Sequence, residues 1–290
     1  KLQTKFLSVL QEIAMTHSSV SAEFKLKKPI TPNKERESRV PLISNAAPLQ
    51  SARITENTKI KPKVDYLVND TDVKSKTAML ELEKSNIPNS TIIKILSAGL
   101  LGRKTHRKLV PTRWAISSVD SILSENKLKK IKDFPLINEY LVFHDEYIGN
   151  HYEIILIPRF WSFEVIEIAL KNLGVWKDYE SFFKRKAYAD SVTGAYYANR
   201  LAASEYLERM KRQASVLIFR EIRPEYYSPL GVGILRETTR SAFIKQPNKF
   251  NNLQDALKDA QSRLRIPIDR YLKESQLLKS LQQKTLNSYL

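Results

Sequence analysis

The sequence predicts an α+β protein in which a mixed or antiparallel sheet is surrounded by helices, with a C-terminal helical tail. Two β-rich runs, residues 138–147 and 151–157, flank the turn-forming stretch Ile148-Gly149-Asn150, and this arrangement predicts a hairpin. Segments with helical spacing of apolar residues lie on both sides of the hairpin. A hydrophobic fraction of 42% over 290 residues is enough for a substantial core.

The N-terminal half is predicted to be mostly helical. Helical spacing over residues 4–15 is followed by alternating apolar residues over 19–27, which predict a strand. Five prolines between residues 28 and 63 predict an extended connector. Asp70 and Asp72 are typical of a helix start, so a helix is expected over residues 70–83. A second helix is expected over residues 90–100.

The C-terminal half is predicted to form the sheet and the helices that cover it. Beyond the hairpin, strands are expected over residues 160–169 and 216–221. Helices are expected over residues 116–123, 194–214, 236–245, 253–264 and 267–281. The chain should therefore divide into residues 1–135, mostly helical with a connector and a basic Arg/Pro motif, an α+β part over 136–282, and a tail over 283–290.

The charge balance of the chain indicates a polyanionic partner. Lys and Arg number 48 against 31 Asp and Glu, a net charge of +17, which favours nucleic acid or an anionic surface. The sequence contains no cysteine, so disulfides, thiolate zinc sites and cysteine nucleophiles are excluded within it. It has no apolar run near 18 residues and no signal peptide, so we expect no membrane partner and a cytoplasmic, nucleoid-associated location.

One basic segment, residues 103–114, is the strongest candidate for contact with DNA. Its five permanent cations are uninterrupted by any acid, and Pro111 disfavours a helix through the middle. A loop of this kind can present guanidinium groups to phosphate oxygens, and the terminal tryptophan could stack on a base. The alternative is a solvated basic loop with the tryptophan in the core. The candidate DNA-binding residues are Arg103, Lys104, Arg107, Lys108, Arg113 and Trp114.

The last eight residues form a second candidate site. In a single 3₁₀ turn, Leu286, Tyr289 and Leu290 would project on one side as an apolar plug, with Gln283 at its rim. This pattern resembles the peptide box by which replication and repair proteins bind the sliding clamp (PCNA). The alternative is that the last helix continues and these residues pack on their own domain.

Several blocks in one order resemble the archaeal Nre DNA-repair family over most of the chain, and residues 107–114 are the most specific of them. The others are residues 10–15, 24–29, 69–72, 96–103, 147–150, 161–164, 194–201, 212–214, 220–222 and 229–232, followed by the terminal box. The resemblance implies a part in the repair of damaged DNA and docking on the sliding clamp. Family members commonly begin with a cysteine zinc ribbon and a Gly/Pro-rich segment, and this sequence has neither, so it is either truncated or from a reduced branch. No role of that ribbon is carried over. The box also ends in Tyr-Leu rather than in two aromatic residues.

A nuclease dependent on a divalent metal is the alternative function. Carboxylates that converge in a basic groove could hold Mg²⁺ or Mn²⁺ for phosphodiester cleavage, and the candidates are Asp120, Glu164 and Glu167. Glu164 and Glu167 would share a face only on a helix, because a spacing of three places them on opposite faces of a strand. Without that activity, no cofactor is expected. The sequence has no Walker-type phosphate loop, so ATP hydrolysis is not expected.

Overall fold

A computed structural model of the protein describes residues 2–30, 47–226 and 231–282, and it divides into two compact units. The first unit is Lys1–Leu123 and the second is Ser124–Leu290, so the boundary falls inside the long helix Thr112–Ile131. Both helices and strands are present, as an α+β protein requires. None of the helices in the described part of the chain combines the length and apolarity that crossing a bilayer requires.

The N-terminal unit consists of short helices and one two-stranded sheet. Strands β1 and β2 pair antiparallel, with Ala22 opposite Ile54. Buried apolar residues of α2, α3 and α4, such as Leu67, Leu82 and Ile95, supply its core. In chain order the elements are α1 (Leu2–Met15), β1 (Ala22–Leu26), β2 (Leu49–Ile54), α2 (Pro62–Asn69), α3 (Ser75–Lys84), α4 (Asn89–Ser97) and α5 (Thr112–Ile131).

The structure corrects two predictions in this unit. The connector predicted over residues 28–63 contains strand β2. Helix α2 begins at its end, and Pro62 occupies the first turn of α2, where a missing N–H costs nothing. The helix expected over residues 70–83 begins only at Ser75. Asp70 Oδ1 accepts hydrogen bonds from the backbone N–H of Asp72 at 2.9 Å and of Val73 at 3.0 Å, which forms a turn instead. Residues 31–46 of the connector lie outside the described residues.

A six-stranded mixed sheet is the centre of the second unit. Its strands are β3 (Tyr140–Tyr147), β4 (Asn150–Ile157), β5 (Ser162–Ala169), β6 (Val175–Glu180), β7 (Ser215–Ile222) and β8 (Asn248–Phe250), in the spatial order β6-β5-β7-β4-β3-β8. Strands β5 and β7 are parallel, and every other neighbouring pair is antiparallel. Strand β7 therefore lies between β4 and β5, which are consecutive in the sequence.

Helices cover both faces of this sheet. On one face, Phe143, Ile154 and Phe163 pack with residues of α6 (Gly194–Met210) and α7 (Val232–Ala242). On the other face, Ile155 and Phe219 pack with residues of α8 (Leu253–Gln261), α9 (Ile268–Glu274) and α10 (Gln276–Gln282). The strands of such a sheet are buried on both sides, and β4 has no exposed residue.

Strands β6 and β8 are absent from the sequence predictions. The helix expected over residues 267–281 is in fact two helices, α9 and α10, separated at Ser275. The Ser275 hydroxyl accepts a hydrogen bond from Leu278 N at 3.0 Å, which is the geometry of a helix N-cap. It also donates to Glu164 Oε2. Ser275 thus caps the start of α10, and the chain turns at this residue between α9 and α10.

Candidate nucleic-acid interface

The basic segment, residues 103–114, follows helix α4, whose C-terminus is capped by backbone hydrogen bonds. Gly99 N donates to Leu96 O at 3.0 Å and Leu100 N donates to Ile95 O at 3.1 Å, the two bonds of a Schellman motif. Gly99 has φ +73°, and an added Cβ would lie 2.8 Å from the carbonyl carbon of Lys108. A side chain at position 99 would therefore push the basic segment away from α4.

Backbone hydrogen bonds hold this segment at both ends. Lys104 N donates to Thr71 O at 2.8 Å, and Val110 N donates to Ser97 O at 3.0 Å. The Ser97 hydroxyl returns a bond to Val110 O at 2.8 Å. Residues 103–111 are thus a fixed loop containing one 3₁₀ turn, Lys104–His106, and residues 112–114 begin α5.

Arg107 anchors the segment to the rest of the unit. Its Nε donates to Gly102 O at 2.7 Å, its Nη1 to Val68 O at 2.8 Å and its Nη2 to Asp70 O at 2.7 Å. All three acceptors are backbone carbonyls, and two of them lie at the C-terminal end of α2. The guanidinium of Arg107 thus joins the basic segment to the end of α2, and its contact with DNA stays a prediction from the sequence.

The other four cations are exposed. Their side chains are exposed to solvent, and none forms an ion pair with a carboxylate among the described residues. These cations are Arg103, Lys104, Lys108 and Arg113. Three of them lie in the connection between α4 and α5. Arg113 lies in the first turn of α5, where the helix dipole adds positive potential. The segment thus presents uncompensated charge on a fixed backbone.

Trp114 is 59% exposed, so the alternative in which it belongs to the core is wrong. The guanidinium carbon of Arg113 lies 5.8 Å from the centre of its ring, within the range of a cation–π contact. Leu109, at 61% exposed, is another large apolar side chain on this segment. The geometry therefore offers a flat apolar surface beside cationic groups.

Of the three carboxylates proposed for a nuclease, Asp120 lies in α5 and Glu164 and Glu167 lie in strand β5. Asp120 is buried in the first unit. Glu164 Oε1 accepts a hydrogen bond from Gln276 N at 2.7 Å, and its Oε2 accepts one from Leu277 N at 3.1 Å, so this side chain receives the first N–H groups of α10. Burial raises the pKa of the Glu164 carboxyl, and these bonds offset the effect only in part. Glu167 pairs with Arg220 at 2.9 Å.

Glu164 and Glu167 both belong to strand β5, where a spacing of three directs them to opposite faces. Throughout the described ranges, no group of three or more His, Asp or Glu side chains has an arrangement suited to a metal ion. The contacts of Glu164 and Glu167 are those of structural residues, one at a helix N-terminus and one in a buried ion pair.

A surface that the sequence predictions missed lies in the second unit. Phe160 and Phe183 are 67% and 78% exposed, and Phe182 lies between them, with ring centres 6.3 Å from Phe160 and 5.7 Å from Phe183. We call these three residues the aromatic cluster. Its signal in the sequence is the stretch Phe182-Phe183-Lys184-Arg185-Lys186, in which rings are followed by consecutive cations.

The candidate clamp-binding residues Gln283, Leu286, Tyr289 and Leu290 lie outside the described residues. Their assignment stays a prediction from the sequence.

Comparison with known proteins assigns the chain to a family. The family sequence patterns described as "Archaeal Nre, N-terminal" and "Archaeal Nre, C-terminal" match residues 1–177 and 180–289, which together span nearly the whole sequence. The chain belongs to the archaeal Nre family. This confirms the resemblance to the Nre family that the short blocks carry.

Individual Nre proteins are similar over most of the chain. DNA repair protein NreB of Archaeoglobus fulgidus is 34% identical over 292 residues, which cover 98% of this chain and 74% of that protein. DNA repair protein NreA of the same organism is 35% identical, covering 90% and 68%. DNA repair protein NreA of Haloferax volcanii is 30% identical, covering 96% and 69%. No solved structure matches the chain.

Proposed function

We propose that this protein is a DNA-repair factor that binds DNA through the exposed cations of the basic segment and docks on the sliding clamp through its C-terminal box. The repair role is supported by the Nre relatives, which are named DNA repair proteins. The net charge of +17 favours a polyanionic partner at the nucleoid. The observation that carries the DNA contact is the exposure of four cations on a backbone that hydrogen bonds hold in place.

A fixed loop of this kind suits phosphate binding for two reasons. Ordering long side chains on a rigid backbone loses less conformational freedom than ordering a flexible loop. Neutralising phosphates with Lys and Arg releases counterions, which makes affinity depend steeply on salt. Four phosphate contacts correspond to a slope of log K against log salt of roughly −3 to −4 on duplex DNA.

The salt dependence of duplex binding tests this part of the proposal. Alanine at Arg103, Lys104, Lys108 or Arg113 should each reduce the slope by about 1 and weaken binding to all duplex sequences alike. Lys25→Ala is the matched control, because it removes one exposed positive charge from strand β1 of the same unit. Binding that is insensitive to salt, or an equal effect of Lys25→Ala, would refute the assignment.

Clamp docking needs a separate experiment. The wild-type protein and the variants Leu286→Ala and Tyr289→Ala would be captured with immobilised clamp. We expect the loss of either apolar side chain to reduce capture strongly, since the plug depends on both. Unchanged capture would remove the C-terminal box from the proposal without affecting DNA binding.

The nuclease alternative has less support, because Glu164 and Glu167 are occupied by internal contacts. Incubation of the protein with branched or damaged DNA in the presence of Mg²⁺ or Mn²⁺, followed by the same reaction with EDTA, is its direct test.

A further inference from the structure

The aromatic cluster, Phe160, Phe182 and Phe183, exposes more ring surface than a core requires. Its rings meet edge to face, at interplanar angles of 80° and 89°, so they are not stacked on one another. Phe160 is 67% exposed and Phe183 is 78% exposed. Contiguous exposed apolar surface of this kind marks an interaction site more often than isolated exposed residues do.

Hydrogen bonds hold the backbone under the cluster in place. Phe160 O accepts a bond from the Ser215 hydroxyl at 2.6 Å, and Trp161 N donates to Gln213 Oε1 at 2.9 Å. The Gln213 amide also donates to Lys132 O at 2.9 Å. Three separate chain segments are thereby joined next to Phe160, so the ring is presented by a fixed backbone.

Positive charge surrounds the rings. Lys132 Nζ lies 4.8 Å from the centre of the Phe182 ring and donates to Phe182 O at 2.5 Å. Lys184 immediately follows the cluster in sequence, with a side chain that is 63% exposed although it pairs with Glu125 at 2.8 Å. Arg159 and Lys186 are also exposed. Of the acids near these cations, Glu125 pairs with Lys184 and the buried Glu180 pairs with Arg200. Arg159 and Lys186 form no ion pair among the described residues, so their positive charge is uncompensated.

Open rings beside cations are the two requirements for binding single-stranded nucleic acid. Every base can stack on an aromatic face, and its phosphate can pair with a neighbouring Lys or Arg. In a duplex the faces of the bases are covered by their neighbours, so rings on a surface gain little from it. The positive surroundings disfavour a purely apolar occupant and complement a polyanion.

We propose that the aromatic cluster and its surrounding cations form a second DNA-binding surface, specific for single strands, on which unpaired bases stack. This inference rests on the proposed role in DNA repair and adds to it the form of DNA that the second unit binds. Phe183 and Phe160 supply the stacking faces. The negative charge of the DNA phosphates is neutralised by the surrounding cations, which are Lys132, Arg159, Lys184 and Lys186.

Binding of a labelled oligothymidine that carries one 2-aminopurine tests the proposal, with anisotropy reporting affinity and quenching reporting base stacking. Phe183→Ala and Phe160→Ala should each weaken binding about fivefold or more and reduce the quenching. Phe183→Leu keeps apolar bulk without a ring and should lose as much as the alanine variant. Phe183→Trp should bind like the wild type.

Tyr147→Ala is the matched control. Tyr147 is an aromatic residue of the same unit and 48% exposed, but it precedes β4, whereas Phe160 follows that strand. Eight residues at about 3.4 Å each separate the two ends of the strand. The affinity of Tyr147→Ala for the oligonucleotide should equal that of the wild type.

The outcomes separate this inference from the proposed function. Wild-type affinity and quenching in Phe183→Ala and Phe160→Ala would overturn the inference, while salt-dependent duplex binding through the basic segment would leave the proposed function standing. Wild-type affinity in Phe183→Leu would show a generic apolar contact and would also overturn it, as would an equal loss on duplex and single strand. A wild-type protein that binds neither form of DNA would refute both.

Discussion

Arg200 Nη1 donates to Glu180 Oε2 at 2.8 Å, and both side chains are only 2% exposed. Arg200 Nε also donates to the Ser124 hydroxyl at 3.1 Å, and Trp161 Nε1 donates to the other oxygen of Glu180 at 3.2 Å. The pair is therefore enclosed in a network in which each charged group has more than one partner. Removing one member leaves the opposite charge buried without its ion-pair partner.

Arg200→Ala should lower the free energy of unfolding by about 3–5 kcal/mol, the usual cost of breaking a buried ion pair. Urea denaturation followed by circular dichroism would measure it. Arg53→Ala is the control, because Arg53 pairs with Glu23 with side chains that are 72% and 53% exposed. That change should cost at most about 1 kcal/mol. Similar losses in the two variants would contradict the role assigned to burial.

Arg107 and Lys104 are both cations of the basic segment, but they should respond differently to mutation. Arg107→Ala leaves three backbone carbonyls without their donor and should destabilise the N-terminal unit by about 1–3 kcal/mol. Lys104→Ala should change stability by no more than about 0.5 kcal/mol, since its side chain is exposed. Thermal denaturation of both variants distinguishes them. If Arg107→Ala were as stable as the wild type, the anchoring role would be wrong.

Stability should depend on pH through Glu164. Burial raises its pKa above the ordinary value of 4.5, so the folded protein holds this proton at pH values where the unfolded chain has released it. The contribution is complete below 4.5 and is lost as pH rises through the raised folded pKa. The unfolding free energy of the wild type minus that of Glu164→Gln should therefore decrease as the pH rises above 4.5. A difference that is constant with pH, or rises, would contradict the raised pKa.

The hairpin was predictable because its signal is local. Gly149 has φ +70°, and a Cβ there would lie 2.3 Å from Tyr226 N, so the turn requires glycine. Asn150 Nδ2 donates to Tyr147 O at 3.2 Å and closes the same turn. Strand β6 was missed because Asp178 and Glu180 interrupt the apolar pattern, and both are buried in ion pairs, with Arg185 and Arg200 respectively, that lie outside the strand. Such pairing leaves no trace in a local pattern.

The exposed position of the basic segment was predictable in part, while its contact with DNA stays a prediction. The sequence located the basic segment, and the exposure of Trp114 agrees with the stacking surface that we expected. The separate role of Arg107 was not predictable, because its acceptors Val68 and Asp70 lie 39 and 37 residues away. The aromatic cluster was missed for the same reason, since Phe160 and Phe182 come together only when strands β5 and β6 pair.

The position of strand β7 has a consequence for the synthesis of the protein. A nascent chain that ends before residue 215 already contains β4 and β5 but lacks the strand that joins them. Each then presents an unpaired apolar edge of the kind that promotes aggregation. The central sheet can close only after residues 215–222 have left the ribosome, so the second unit exposes these two edges until that point.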